Sequence, residues 1–241
     1  MSAIHLGVEG VTRRFGGLTA VNDVSFALGE GDVLSLIGPN GAGKTTLFNI
    51  LTGQLAPSAG KVVFDGTDIT GHRPNQRAWL GLGRTFQISQ TLTSLTVLEN
   101  AMIGTFLRHP RIADAADWAY AALERVGLAS RAREEASHLT LGERRRLEVA
   151  RALGLEPRLL LLDEVMAGLN QTEVTRIVDL VLALNADGQT IIVIEHNLKV
   201  VRIFSKRVLV LDRGKMIADG GADSVLQDPV VVEAYVGKKK Q

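Results

Sequence analysis

The stretch V-L-S-L-I-G-P-N-G-A-G-K-T-T-L-F-N-I-L (Val33–Leu51) decides how the chain is read. Its first five residues form a nearly continuous apolar run, as expected of a short strand buried on both faces. A helical pattern begins at Lys44. Between them, G-P-N-G-A-G-K-T (Gly38–Thr45) fits the phosphate-loop pattern G-x-x-x-x-G-K-[ST] at every fixed position, in the strand–loop–helix setting that pattern requires. Gly38, Gly41 and Gly43 let the backbone turn with its N–H groups inward, a nest at a helix N-terminus where negative charge is favoured. Lys44 is placed to pair with β- and γ-phosphates, the Thr45 hydroxyl to ligate Mg²⁺, and Thr46 to add a hydroxyl near the α-phosphate. Asn40 and Ala42 complete the candidate phosphate cradle. The plain alternative is a glycine-rich turn with a chance lysine, and the flanking strand and helix argue against it.

Three further apolar runs share the character of Val33–Ile37: R-L-L-L-L (158–162), T-I-I-V-I (190–194) and R-V-L-V-L (207–211). Helical patterns over 44–53, 143–155, 172–186 and 197–204 separate them, and buried strands alternating with helices predict an α/β fold. The strand 158–162 ends in Asp163 and Glu164, which delivers two acids to the carboxyl edge of the sheet, where ligands of open α/β folds bind. Asp163 is placed to hold Mg²⁺ directly or through water. Glu164 is the better candidate to orient and deprotonate an attacking water. Alone, such a pair would read as two exposed loop acids; the phosphate loop upstream changes that. His196, after the run 190–194, can hydrogen-bond a γ-phosphate and the water. Gln87, in R-T-F-Q, has an amide that can serve both Mg²⁺ and water. The other histidines read as structural.

Composition bounds the rest. With 241 residues, 46% hydrophobic and 22% charged, the chain predicts one large globular domain or one domain with a sizeable subdomain. A formal net charge of +1 gives no global basic field for nucleic acid. The absence of cysteine excludes disulfides, thiol catalysis and Cys-ligated zinc. No signal-peptide pattern and no apolar run of membrane-spanning length is found, so a membrane role is expected only through a partner.

Residues 3–8, 22–28 and 61–64 lean towards an antiparallel sheet. From about 92 to 135 the buried-strand signal gives way to two or more helices, the first opened by a capping box at Thr96 and Glu99. L-T-L-G-E-R-R-R (139–146) opens another helix with a second box, Thr140 and Glu143.

Taken together and in this order, these features resemble the nucleotide-binding subunit of an ABC transporter, over essentially the whole chain. The resemblance implies a P-loop ABC ATPase fold with a mixed or parallel core sheet, an N-terminal antiparallel β-subdomain and an inserted helical subdomain. About 1–87 and 156–241 would form the nucleotide-binding core and about 88–155 the helical part. It implies that Phe15, in R-R-F-G-G, stacks on adenine with Val21 nearby, the alternative for Phe15 being a core aromatic. It implies a head-to-tail dimer, with itself or a related ATPase, in which each ATP touches the phosphate loop of one subunit and the L-S-G-G-Q-like signature of the other.

Here L-T-L-G-E (139–143) stands at the signature. Thr140 keeps a hydroxyl and Gly142 a closely approachable N–H, whereas Leu141 replaces a glycine and Glu143 a neutral amide. A-G-L-N (167–170) resembles the family's D-loop with Asn170 where aspartate is commoner, and Val165 stands where proline usually follows the glutamate. G-R-T-F-Q, A-G-L-N, E-H-N-L-K and the terminal A-Y-V-G are similar to ATPases of branched-chain or hydrophobic amino-acid uptake. G-E-R-R-R-L-E-V-A-R-A-L also resembles the lipopolysaccharide-export ATPase, and urea or amide uptake is a further alternative. The implied cofactors are ATP and Mg²⁺. The implied partners are membrane permeases, docked near Gln87 and residues 88–110, and, indirectly, a solute-binding protein. The implied location is the cytoplasmic face of the membrane. A non-transport ABC ATPase would need zinc modules, coiled coils or tandem cassettes, and a regulator with little turnover would not need Glu164 and His196.

Overall fold

The computed structural model describes residues 4–85 and 91–236. The chain divides into two compact units, one of residues 1–77 and 188–241, the other of residues 78–187.

The first unit opens with two long arms, β1 (Ile4–Phe15) and β2 (Leu18–Gly29). They are followed by β3 (Val33–Ile37), α1 (Lys44–Leu51), β4 (Ala59–Phe64) and β5 (Thr67–Asp68). The chain leaves this unit along α2 (Pro74–Trp79). The second unit contains β6 (Leu82–Arg84), α3 (Val97–Thr105), α4 (Ile112–Arg125), α5 (Leu141–Leu153), β7 (Leu159–Asp163) and α6 (Gln171–Ala186). The chain then returns to the first unit as β8 (Thr190–Ile194), α7 (Leu198–Phe204), β9 (Arg207–Asp212), β10 (Lys215–Gly220), α8 (Ala222–Gln227) and α9 (Pro229–Val236).

The first unit holds an antiparallel sheet in the order β2-β1-β4-β5, with Leu6 opposite both Leu28 and Phe64. The arms are longer than the expected 3–8 and 22–28, because register shifts at Val8/Val11 and beyond interrupt the alternation that marks a strand in sequence. Its core sheet is mixed. β3 runs parallel to β8 (Leu34 with Ile192) and to β9 (Leu34 with Arg207), while β10 folds back antiparallel on β9. Every residue of β3 and β8 is buried, as their apolar runs predict. Arg77 is fully buried and donates to the carbonyls of Ile50 and Leu51 at the end of α1, and of Thr70 and His72. It thereby adds a donor to helix-end carbonyls, of which that of Ile50 also accepts from Gly53 N–H at 3.1 Å. Burial lowers its pKa to about 10.

In the second unit β6 and β7 pair in parallel, Leu82 with Leu159 and Arg84 with Leu161. α3 packs closely on α5 where Gly104 passes Arg151: a Cβ at Gly104 would lie 2.0 Å from the Arg151 carbonyl oxygen. Among the described residues no helix is long and apolar enough to cross a membrane.

Candidate active site

The phosphate loop lies in the first unit, between β3 and α1. Gly38 has φ +147° and Gly43, the residue capping α1, has φ +102°. Side chains are excluded at both: a Cβ would meet the Leu211 carbonyl oxygen at 2.1 Å from Gly38 and that of Ala20 at 2.3 Å from Gly43. No side chain caps α1, so its first-turn N–H groups face whatever occupies the loop. The loop is stitched to the β9–β10 turn, because Gly214 N–H donates to the Ala42 carbonyl at 2.9 Å and Asn22 N–H to the Gly214 carbonyl at 2.8 Å. Lys44 is buried, and its ammonium donates to the carbonyls of Gly38 (2.7 Å) and Pro39 (3.0 Å), which bends the side chain back over the loop. Thr45 is exposed and Thr46 half-buried. Gly41 has open space around it despite φ +78°.

Two other candidates share this unit. Phe15 ends β1 with 43% of its surface exposed, so it is not a core aromatic. The Arg13 guanidinium sits 4.7 Å from its ring centroid and is held by the Ala56 carbonyl at 2.8 Å. Val21 is wholly buried opposite Arg13. His196 is exposed just past the end of β8, and the next residue, Asn197, caps α7. Tyr235, from α9, packs against the cluster around Ile37, and burial pushes its pKa up to about 12 against a lowering contact with the Gly38 backbone.

The acids lie in the second unit. Asp163 is fully buried at the end of β7; its Oδ2 accepts from Arg84 Nη2 at 2.9 Å, and its N–H donates to Thr85 Oγ1 at 3.0 Å. Sequence reasoning missed this partner, because β6 is three residues long and shows no periodicity. Glu164 follows with φ +51°, a left-handed conformation that costs a non-glycine residue about 1 kcal/mol or more. Val165 is fully buried behind it. Gln87 lies outside the described residues.

The signature-like turn is also in this unit. Thr140 caps α5 with both halves of the box formed: Glu143 N–H donates to Thr140 Oγ1 (3.3 Å), and Thr140 N–H to Glu143 Oε2 (2.9 Å). Gly142 is buried, and Leu141 is 45% exposed. Asn170 caps α6 in the same way, its Oδ1 accepting from Glu173 N–H at 3.0 Å, a role asparagine fills as well as aspartate. The two capped ends share a cavity of about 520 Å³ lined by Thr140, Gly142, Glu143, Asn170 and Glu173, among others. A second, mostly apolar cavity of about 190 Å³ includes Arg84, Ile103, Glu148 and Arg151. Among the described residues no group of three His, Cys, Asp or Glu side chains forms a metal cluster.

A phosphate loop between a buried strand and an uncapped helix, on a mixed α/β sheet, defines a nucleotide-binding protein. Residues 21–167 match the family described as ABC transporter, and the chain belongs to that family as one of its ATP-binding cassettes. It is 40% identical, over 99% of its own length and 100% of the relative's, to the high-affinity branched-chain amino acid transport ATP-binding protein LivG of Salmonella typhimurium. It is 38% identical over the same shares to BraF of Pseudomonas aeruginosa, which has the same description. Among solved structures, the ADP conformation of MJ1267, an ATP-binding cassette of an ABC transporter, superposes with a TM-score of 0.90 at 34% identity, covering 98% of this chain and all of that one. A dimeric cassette, MJ0796 bound to ADP and phosphate, gives 0.80 at 26% identity, covering 90% of this chain and 98% of that one.

Proposed function

We propose that the chain is the ATP-hydrolysing subunit of an importer for branched-chain or other hydrophobic amino acids. The end-to-end likeness to branched-chain transport ATP-binding proteins supports the substrate class. The observation that carries the chemistry is the phosphate loop: an α1 N-terminus with no side-chain cap, Gly38 and Gly43 with no room for a side chain, and a buried lysine bent over them.

Two cassettes would pair head to tail. Phe15 stacks on adenine with its inner face held by Arg13, and the loop N–H groups, Lys44 and Thr46 bind the phosphates. The Thr140 hydroxyl and the Gly142 N–H of the other subunit reach the γ-phosphate. Glu164 takes a proton from a water whose oxygen attacks the γ-phosphorus; the bond to the β–γ bridging oxygen breaks, and ADP and inorganic phosphate leave. His196 donates a hydrogen bond to the γ-phosphate. Thr45, Asp163 and Gln87 are oxygen donors of the hard kind Mg²⁺ takes, and the ion would neutralise charge on the β- and γ-phosphates when bound.

Closure shifts a population, driven by ATP that contacts both subunits only in the closed state. The apolar cavity beside Ile103 and Arg151, on the 88–110 side of the second unit, receives a permease helix, with the cassette at the cytoplasmic face of the membrane and a solute-binding protein beyond it. Glu164→Gln is expected to bind ATP, accumulate an ATP-dependent dimer on size exclusion, and lose turnover by about 10²–10⁴-fold. Phosphate release at the parental rate would remove Glu164 from the role of base.

A further inference from the structure

A glutamate in the phosphate-facing turn of α5 poses an electrostatic problem. The γ-phosphate of ATP would approach the first-turn N–H groups beside Glu143, while a second glutamate, Glu173, stands across the same cavity, with Arg146 and Arg176 also in its lining but neither hydrogen-bonded to Glu143 as Arg131 is. Both glutamates are the reciprocal half of a capping box, reaching back to the N–H of Thr140 and of Asn170. Their surroundings differ. Glu143 Oε2 also accepts a 2.6 Å hydrogen bond from Arg131 Nη1, so one oxygen serves both the cap and a cation. Arg131 ends the short 3-10 turn Ala129–Arg131 and is anchored from its other side, with Nε and Nη2 on Glu134 (3.1 and 2.6 Å) and Nη2 also on the His138 carbonyl (3.4 Å). Burial pushes the Glu143 carboxyl up, but the Arg131 and Thr140 bonds together bring it below its ordinary value, so it is charged at neutral pH. The hydrogen bonds of Glu173, by contrast, are those of its Asn170 cap, and its carboxylate lies over Gly142, with Oε1 2.7 Å from where a Cβ would stand.

We propose that Arg131 is the positioning residue that makes a glutamate workable in this turn. It holds the Glu143 carboxylate back on the cap and balances its charge. The Leu141 and Gly142 N–H groups, which have no acceptor within the helix, then remain for the partner subunit's ATP. Thr140 Oγ1 accepts from Glu143 N–H, and the Thr140 hydroxyl in turn bonds the Glu143 carboxylate, so the cap itself is closed on both sides. The inference rests on L-T-L-G-E being half of a shared ATP site. Glutamine can replace either glutamate without losing the box, which allows the charge to be tested apart from the cap.

The experiment measures ATP turnover, and ATP-dependent dimer formation in a Glu164→Gln background, for Arg131→Gln alone and combined with Glu143→Gln or with Glu173→Gln. Arg131→Gln is expected to lower turnover about tenfold, the size of removing one charge at roughly 10 Å in a half-screened site. Dimer formation should weaken in step, while the Kd of the monomer for a fluorescent ATP analogue stays within about twofold. In the Glu143→Gln background the same substitution should change turnover less than twofold, and in the Glu173→Gln background the full loss should persist. A folding defect from the lost Glu134 and His138 contacts would not be rescued by Glu143→Gln, so an unrescued loss overturns the proposal. Parental turnover in Arg131→Gln overturns it too. If Thr140→Ala and Gly142→Asp both keep parental turnover, the shared-site reading itself falls. If they lose turnover and Arg131→Gln shows no coupling to Glu143, only the role of Arg131 falls.

Discussion

Gly43 and Gly41 stand two positions apart in one loop, both with positive φ, yet their surroundings separate them. A side chain at Gly43 runs into the Ala20 carbonyl at 2.3 Å, a backbone group that cannot turn aside, whereas one at Gly41 meets nothing within 4 Å. Gly43→Ala should therefore displace the loop and abolish measurable nucleotide binding. Gly41→Ala should carry only the left-handed backbone penalty of about 1–2 kcal/mol and keep binding within roughly tenfold; isothermal titration with ATP separates the two. At this scale the sequence was most legible where the residue type dictates backbone shape, as with Gly38 and Gly43, whose positive φ and crowded surroundings the structure shows. It was silent where a partner comes from far along the chain. Arg84 on Asp163, Arg131 on Glu143 and Arg13 under Phe15 are contacts that no local spacing announces. The left-handed Glu164 is equally invisible before the fold is built, since an acid after a strand carries no mark of its φ.

Three helices begin with the same device: Thr96 with Glu99 on α3, Thr140 with Glu143 on α5, and Asn170 with Glu173 on α6. All three are local patterns, and the first two could be read directly from T-x-x-E. Their sameness gives a control. Removing either threonine hydroxyl leaves an N–H without its acceptor and should cost about 1 kcal/mol, so Thr96→Ala and Thr140→Ala are expected to lower the thermal midpoint alike. Only Thr140→Ala should also lose turnover, by about 10²-fold or more for a lost preorganised polar contact. Equal turnover in the two variants would return L-T-L-G-E to an ordinary capped helix. Other elements escaped the sequence for physical reasons. β6 is too short to show a period, and the bulged arms β1 and β2 break their alternation partway.

For the molecule as a whole, the fully buried strands and the helices between them made the α/β class legible, and the antiparallel sheet was visible in its least interrupted stretches. The surface offered to partners was not, because exposure depends on the finished fold. On α3 Ile103 is exposed and lines the apolar cavity, and Ile112 is exposed at the start of α4 and does not line it. If that cavity receives a permease helix, Ile103→Asp should sharply reduce co-purification of the cassette with its membrane partners, and Ile112→Asp should not. Equal recovery of both would move the docking surface elsewhere.

The β9–β10 turn looks like the kind of surface hairpin whose length drifts freely. It is a two-residue connection, Arg213 and Gly214, both left-handed, and its backbone N–H and carbonyl each reach out to a neighbour rather than to water. One of those neighbours is the carbonyl of Ala42, in the middle of the phosphate loop. An inserted residue here would break no pocket and touch no catalytic side chain, yet it would withdraw a donor from the loop that holds ATP. The shape of one hairpin is thus dictated by chemistry performed some 170 residues earlier in the chain, and tags or grafted epitopes belong at other turns.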